Sequence, residues 1–272
     1  MRNAPEAIAA ALDRPYEVAA ADVEHYRENG FLHLRNVLPR ALIERNRPAI
    51  ADLVAELRRD LPPVEQRSTY GKAFLQITNL WRQSPLVEEL VRGRRLAGIA
   101  AQLMACDGTR LYHDQALFKE PGGGITPWHA DQYYWPLASE RTITAWIPLG
   151  DVPLEMGPLA FCPRSHRLAE GRDLAIGDES EEKLKDRLAG LGCVEEPFAS
   201  GDVSFHSGWT FHRAGPNRTE RMREVFTIIF MDADMRLAAP KNPNQELDRT
   251  VFCPDVAVGE VVATPLNPRL YP

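Results

Sequence analysis

No stretch of the 272 residues approaches the roughly 18 consecutive apolar positions that a bilayer span needs. The opening segment, Met1–Ala20, is Ala-rich with interspersed charges and two prolines, Pro5 and Pro15, and lacks the apolar core of a signal peptide. A cytoplasmic protein without a membrane partner is the expectation. Cysteine is scarce: Cys106, Cys162, Cys193 and Cys253 stand far apart with no CxxC pair. That excludes a zinc knot or a disulfide framework and leaves packed or free thiols. There is no basic excess, since the formal net charge is −6; a nucleic-acid partner normally leaves a basic footprint. No internal repeat and no low-complexity linker divide the chain. The glycine-rich PGGG at 121–124 is not followed by GK[ST], so it reads as a flexible hairpin or lid and not as a phosphate cradle.

What is present has two textures. The first half is partly helical. Ala21–Asn29 reads as a short helix stopped by Gly30, and Phe31–Val37 alternates as a strand does. Pro39–Leu61 carries Leu42, Ile43, Ile50, Leu53, Val54 and Leu57 at helical spacing, with Pro48 predicting a kink or a late start. A third helix runs from Pro85, just after Ser84, to about Ala105. From Thr109 onward short strands alternate with turns: Arg110–Lys119, Gly124–Gln132, Arg141–Leu149, Gly157–Cys162, Gly201–His206, Thr210–Ala214 and Glu224–Asp232, with one helix, Ser180–Leu191, between them. The pattern predicts a mainly β fold with flanking helices, a jelly roll or double-stranded β-helix of the cupin-like kind. As domain organisation it predicts one unit over 1–272: a helical part to about 108, a jelly-roll core at about 109–235 and a C-terminal extension over 236–272.

The chemistry-bearing constellation begins in WHADQ, residues 128–132. Side chains alternate along a strand, so His129 and Asp131 share a face and can meet one cation. Alone, HxD also fits a hydrogen-bonded pair at a strand end. A third ligand is offered by GDVSFHSGWTFHRAGPN, residues 201–217, where His206 and His212 both qualify. Two imidazoles and one carboxylate, with the remaining positions open, make the facial triad of non-haem Fe(II) oxygenases. Arg221 and Arg223 follow His212 by nine and eleven residues, and Arg223 opens the apolar strand EVFTIIFM. An arginine at the mouth of a buried strand calls for an anion, and a dicarboxylate chelating iron at one end would present its other carboxylate in the geometry a guanidinium binds. A surface arginine in a loop that already holds Arg213, Arg218 and Arg221 is the plain alternative.

The motifs HYRENGFLHLRNVL, QALFKEPGGG, WHADQ, TAWIPL, GPLAFCPRSH and GDVSFHSGWTFHRAGPN occur in this order from about residue 25 to about 232. In them the chain resembles the phytanoyl-CoA dioxygenase family of Fe(II)/2-oxoglutarate oxygenases. The resemblance implies that His212, in HRAGPN, is the distal ligand beside His129 and Asp131, and that His206 is not a ligand. It implies Arg223 as the 2-oxoglutarate arginine. Gln115 and Lys119 match positions that face cosubstrate or substrate, and Trp146 matches an aromatic lining the cosubstrate pocket. One departure is Arg164, in PRSH, where the family usually has glycine; it leaves the conformation of a loop near the site mouth open.

Fe(II), 2-oxoglutarate and O2 are the cofactor and cosubstrates so implied, with decarboxylation to succinate and CO2 driving attack on an unactivated C–H bond. Asp131 occupies the position that related halogenases leave free for halide, which favours hydroxylation. Epimerisation, desaturation or ring closure by the same iron chemistry is the alternative, as is a metal-binding jelly roll without oxygenase activity. The cluster Trp128, Tyr133, Tyr134 and Trp135 is either core or an apolar substrate wall. It points to a small, neutral and largely apolar metabolite, as in secondary or antibiotic metabolism. His113 and His166 read as structural or surface residues, and Asp151, Glu155 and Asp202 as turn residues.

Overall fold

The computed structural model describes residues 4–59 and 61–272. Residues 1–3 of the Ala-rich opening, and the side chain of Leu57, lie outside what is described. The chain opens with helices α1 (Ala4–Asp13) and α2 (Ala20–Asn29), then strand β1 (Phe31–Leu34), helix α3 (Arg40–Arg58), the short helix α4 (Thr69–Ala73) and strand β2 (Leu75–Thr78). Helices α5 (Pro85–Arg92) and α6 (Arg94–Met104) lead to strands β3 (Thr109–Phe118), β4 (Thr126–His129), β5 (Thr142–Pro148) and β6 (Leu159–Phe161). Helix α7 (Asp178–Ala189) precedes β7 (Val194–Glu195), β8 (Val203–Ser207), β9 (His212–Ala214) and β10 (Val225–Asp232), and the chain ends with α8 (Pro243–Phe252) and β11 (Arg269–Tyr271).

The strands form the two antiparallel sheets of a jelly roll. The larger runs β1-β8-β5-β10-β3-β11, with β2 also on β3; the smaller runs β4-β9-β6-β7. Strands from the flanks, β1, β2 and β11, thus join the large sheet on either side of the expected 109–235 core.

Alternation along the large sheet separates core from site. Ile143, Ala145 and Ile147 of β5, Phe226, Ile228 and Phe230 of β10, and Val203 and Phe205 of β8 join one apolar cluster with α3, α5 and α6. Full burial of such side chains contributes about 1.5–3 kcal/mol each. The intervening residues, Thr144, Trp146, Thr227 and His206, face the other way, into a cavity.

Two helix expectations change. The predicted helix 85–105 is two helices, broken where Gly93 turns to φ −59°, ψ 126°. A side chain there would press on Leu12 at 3.0 Å, so the break is where α1 comes close. Helix α3 begins at Arg40 and continues through Pro48, so the late start does not occur. The carbonyl that loses its donor belongs to Glu44, and both residues are exposed, so water can replace the missing bond.

PGGG is not a free lid. Gly122 N–H donates to Asn217 O (3.1 Å) and Gly124 N–H to Lys72 O (2.9 Å), pinning the turn at both sides. Arg164 adopts the left-handed φ of 63° that glycine usually fills, with its N–H donating to Asn29 O at 3.0 Å. Asp202 is more than a turn residue: it is buried and accepts from the N–H groups of Asn36 and Ala199, each at 2.9 Å. All four cysteines are free. No helix among the described residues is long and apolar enough to cross a membrane.

Candidate metal centre

His129 ends β4, and Asp131 lies just past it, at the start of a 3-10 turn over Asp131–Tyr134. Ala130 between them keeps extended backbone, φ −124° and ψ 131°, so the two side chains still share a face although the strand has ended. Strand β9 pairs with β4 so that His212 lies directly across from His129. The ligand atoms of His129, Asp131 and His212 all lie within 4.8 Å of one another, as a shared metal ion requires.

The hydrogen bonds orient these groups. His129 Nδ1–H donates to Pro127 O at 2.8 Å and His212 Nδ1–H to Thr210 O at 3.0 Å. Each ring is thereby fixed in the tautomer that leaves Nε2 a lone pair. Those Nε2 atoms stand 3.6 and 3.7 Å from Asp131 Oδ1, beyond hydrogen-bond length and suited to an interposed cation. Asp131 Oδ2 is already engaged, accepting from Thr144 Oγ1 at 3.0 Å and His206 Nε2 at 3.2 Å. Burial presses both His129 and His212 down to about 4, so they are neutral and ligand-ready at neutral pH. Burial alone would raise Asp131, but His212 and His206 outweigh it and hold its carboxyl well below the usual range.

The triad opens into a cavity of about 620 Å³, within the range typical of small-molecule sites. Across the sheet, Gln115, Thr227 and Trp146 form one row of the wall, and His113, Thr144 and His206 line it from the next. Arg223, on the same face as Val225 and Thr227, also lines the cavity and is 2% exposed. One guanidinium nitrogen donates to Gly157 O at 2.6 Å, while its Nε is buried without an acceptor. The Trp146 ring lies 5.8 Å from the guanidinium carbon, and its indole N–H is likewise buried and unpartnered. Burial lowers Arg223 to about 10. A buried cation and two orphaned donors fit a carboxylate. Gly157 takes φ 69°, and a side chain on it would strike the Gly215 carbonyl, so the carbonyl that anchors Arg223 depends on glycine there.

The structure brings His129, Asp131, His212, Arg223, Gln115 and Trp146 to this cavity, but not Lys119. The Lys119 ammonium is buried and donates to Gly124 O (2.7 Å), Gly215 O (2.7 Å) and Thr126 Oγ1 (3.2 Å). Burial and then Arg223 press it down to about 6, while three oxygen acceptors favour the protonated form; its bonding ties the PGGG turn to β4 and to the end of β9. Of the aromatic cluster, Tyr134 and Trp135 line the cavity. Trp128 packs with Phe211 and α7 residues instead.

Sequence reasoning missed the part played by four groups. His206 orients Asp131, and Thr144, two residues before Trp146, does the same; that spacing is the signal that could have found Thr144. His113 is a buried wall residue stacked on Phe252 at 4.1 Å. Asp248 enters the wall from α8, and nothing local in the sequence marks it. His166 stays half-buried away from the cavity.

A jelly roll whose cavity holds a His-Asp-His group able to bind one metal ion fits the architecture of a mononuclear metal oxygenase. The family profile for phytanoyl-CoA dioxygenase (PhyH) matches residues 26–225, and the chain belongs to that family. It is a non-haem iron, 2-oxoglutarate-dependent dioxygenase, with Fe(II), 2-oxoglutarate and O2 as cofactor and cosubstrates. Human peroxisomal phytanoyl-CoA dioxygenase is 24% identical over 242 residues, covering 81% of this chain and 70% of the relative. The α-ketoglutarate-dependent carbocyclase SnoK from nogalamycin biosynthesis superposes with a TM-score of 0.78 at 26% identity, covering 94% of this chain and 99% of that one. The epimerase SnoN, solved with Fe3+, α-ketoglutarate and nogalamycin RO, superposes at 0.74 with 24% identity, covering 96% and 99%.

Proposed function

We propose that this chain hydroxylates a small, largely apolar metabolite, with Fe(II) held by His129, Asp131 and His212 and 2-oxoglutarate reaching from that metal to Arg223. The observation that carries this is one cavity holding two Nε2 lone pairs around Asp131 Oδ1 together with a buried guanidinium that lacks an anion. When bound, iron supplies O2 activation coupled to decarboxylation of 2-oxoglutarate to succinate and CO2.

The chain's own groups set the conditions. Burial keeps both histidines neutral. Thr144 and His206 hold Asp131 Oδ2, so Oδ1 is the atom presented to the metal. Arg223 and the Trp146 N–H would hold the distal carboxylate of the cosubstrate, with Thr227 and Gln115 in the row beside them. Tyr134, Trp135 and Phe252 exclude water from the substrate side.

With Asp131 as a ligand, the position a halide would need would be taken by its carboxylate, which favours oxygen insertion over halogenation. A second outcome, ring closure or epimerisation from the same substrate radical, is favoured by the likeness to the carbocyclase and the epimerase. Turnover of a substrate under 18O2 with excess chloride tests the assignment. One labelled oxygen in the product is expected. A chlorinated product overturns it, and product with neither label nor chlorine selects the second outcome.

A further inference from the structure

Helix α8 lies beyond the family match, which ends at residue 225. Asn244, Leu247, Asp248, Val251 and Phe252 recur at helical spacing and all line the cavity. The helix is tied to the turn that carries Asp131: Gln245 Nε2 donates to Tyr133 O at 3.0 Å, and Asn242 caps the helix by accepting from Gln245 N–H at 2.9 Å. Its position is thus fixed relative to the metal centre. Leu247 and Val251 are 62% and 40% exposed, a bare apolar rim at the cavity mouth.

Asp248 stands between them. One oxygen accepts from Tyr112 OH at 3.2 Å, and among the described residues no lysine, arginine or histidine pairs with it. Its neighbour Arg249 is turned to Glu246 at 2.6 Å. Of the cationic and imidazole groups in the cavity, Arg223 is held at Gly157, His206 is turned to Asp131, and His113, His129 and His212 are kept neutral by burial.

We propose that α8 selects the substrate, with Asp248 accepting the ammonium of a basic nitrogen on a molecule whose apolar part lies on Leu247 and Val251. The claim that the bound molecule is oxidised rests on the function proposed above; the claim that it binds here does not. Burial pushes Asp248 up to about 7, as befits a carboxylate lacking a counter-charge. An ammonium supplies that charge, whereas a hydroxyl donor leaves it uncompensated. The substrate is therefore largely apolar but carries one amine, and is not neutral.

The test uses two matched fluorescent probes, aminomethylanthracene and anthracenemethanol, titrated into the full chain loaded with Mn(II) and 2-oxoglutarate. A hydrogen bond between charged groups predicts that the amine binds about tenfold or more tightly than the alcohol. Asp248→Asn, which still accepts from Tyr112, should erase that preference and leave the alcohol's affinity unchanged, and Leu247→Ser should weaken both probes. Equal affinities, a preference that survives Asp248→Asn, or no saturable binding of either probe overturns the proposal. The thermal stabilisation given by 2-oxoglutarate is read on the same samples. Its absence with the amine preference intact strikes the oxygenase assignment alone, and its presence without the preference strikes only this inference.

Discussion

Replacing Arg223 with Gln removes the cation that awaits the distal carboxylate while keeping much of its length. In the ligand-free chain the Arg223 guanidinium makes one hydrogen bond, to the uncharged Gly157 carbonyl at 2.6 Å, and its Nε has no acceptor. Bound cosubstrate would add charge-assisted bonds at a 2% exposed site, where each contributes about 1.5–3 kcal/mol. Losing about 3 kcal/mol raises the KM for 2-oxoglutarate roughly a hundredfold. Folding behaves differently: burial disfavours the charged guanidinium, so removing it relieves a desolvation penalty and offsets the lost bond. The ligand-free melting temperature should therefore change little, while the stabilisation by 2-oxoglutarate disappears. Arg221 is exposed, and Arg221→Gln is the control. Steady-state kinetics at varied 2-oxoglutarate, alongside thermal melts, reads both effects. An unchanged KM in Arg223→Gln with a raised KM in Arg221→Gln refutes the assignment and shifts the register by two residues.

Thr144→Val removes one of the two donors on Asp131 Oδ2 and should weaken Mn(II) binding about tenfold, as loss of such orienting contacts does; unchanged affinity in a calorimetric titration would show that Oδ1 is positioned without it. Arg164→Gly replaces a residue at φ 63° and should raise unfolding stability by about 0.5–1 kcal/mol, with a destabilised variant in denaturant melts counting against the strain. Asp248 is raised from 3.8 to about 7 by burial, so the folded state holds an extra proton between those values; its contribution is full below about 4 and is lost as pH rises through 7. Asp248→Asn should therefore gain stability relative to the parent over that window, and a constant difference across it would contradict the shift.

Much of the centre was legible in the sequence because it depends on local period. His129 and Asp131 are two apart, and an extended Ala130 preserves their common face even though Asp131 has left the strand. Arg223 could be seen because it opens a continuous apolar strand. Choosing His212 over His206 as the proposed ligand needed the family resemblance, since both are buried imidazoles near Asp131, and the pairing of His212 with His129 and the bond from His206 to Asp131 appear only in the fold. Asp248 was illegible for another reason. Its stripe on α8 has the spacing of any amphipathic helix, and the docking of Gln245 on Tyr133 that sets it along the cavity is a tertiary contact. The helix expected over 85–105 was misjudged because nothing in its local propensity marks the interruption at Gly93, where Leu12 of α1 lies close.

The central claim is tested most directly by iron content after anaerobic loading of the full chain and its single variants. The parent should hold one Fe(II) per chain. His129→Ala, Asp131→Ala and His212→Ala should each lose it, whereas His206→Gln, which removes only an orienting bond, should retain it with weaker affinity. Full iron in His212→Ala, with loss in His206→Gln, would contradict the facial triad as assigned.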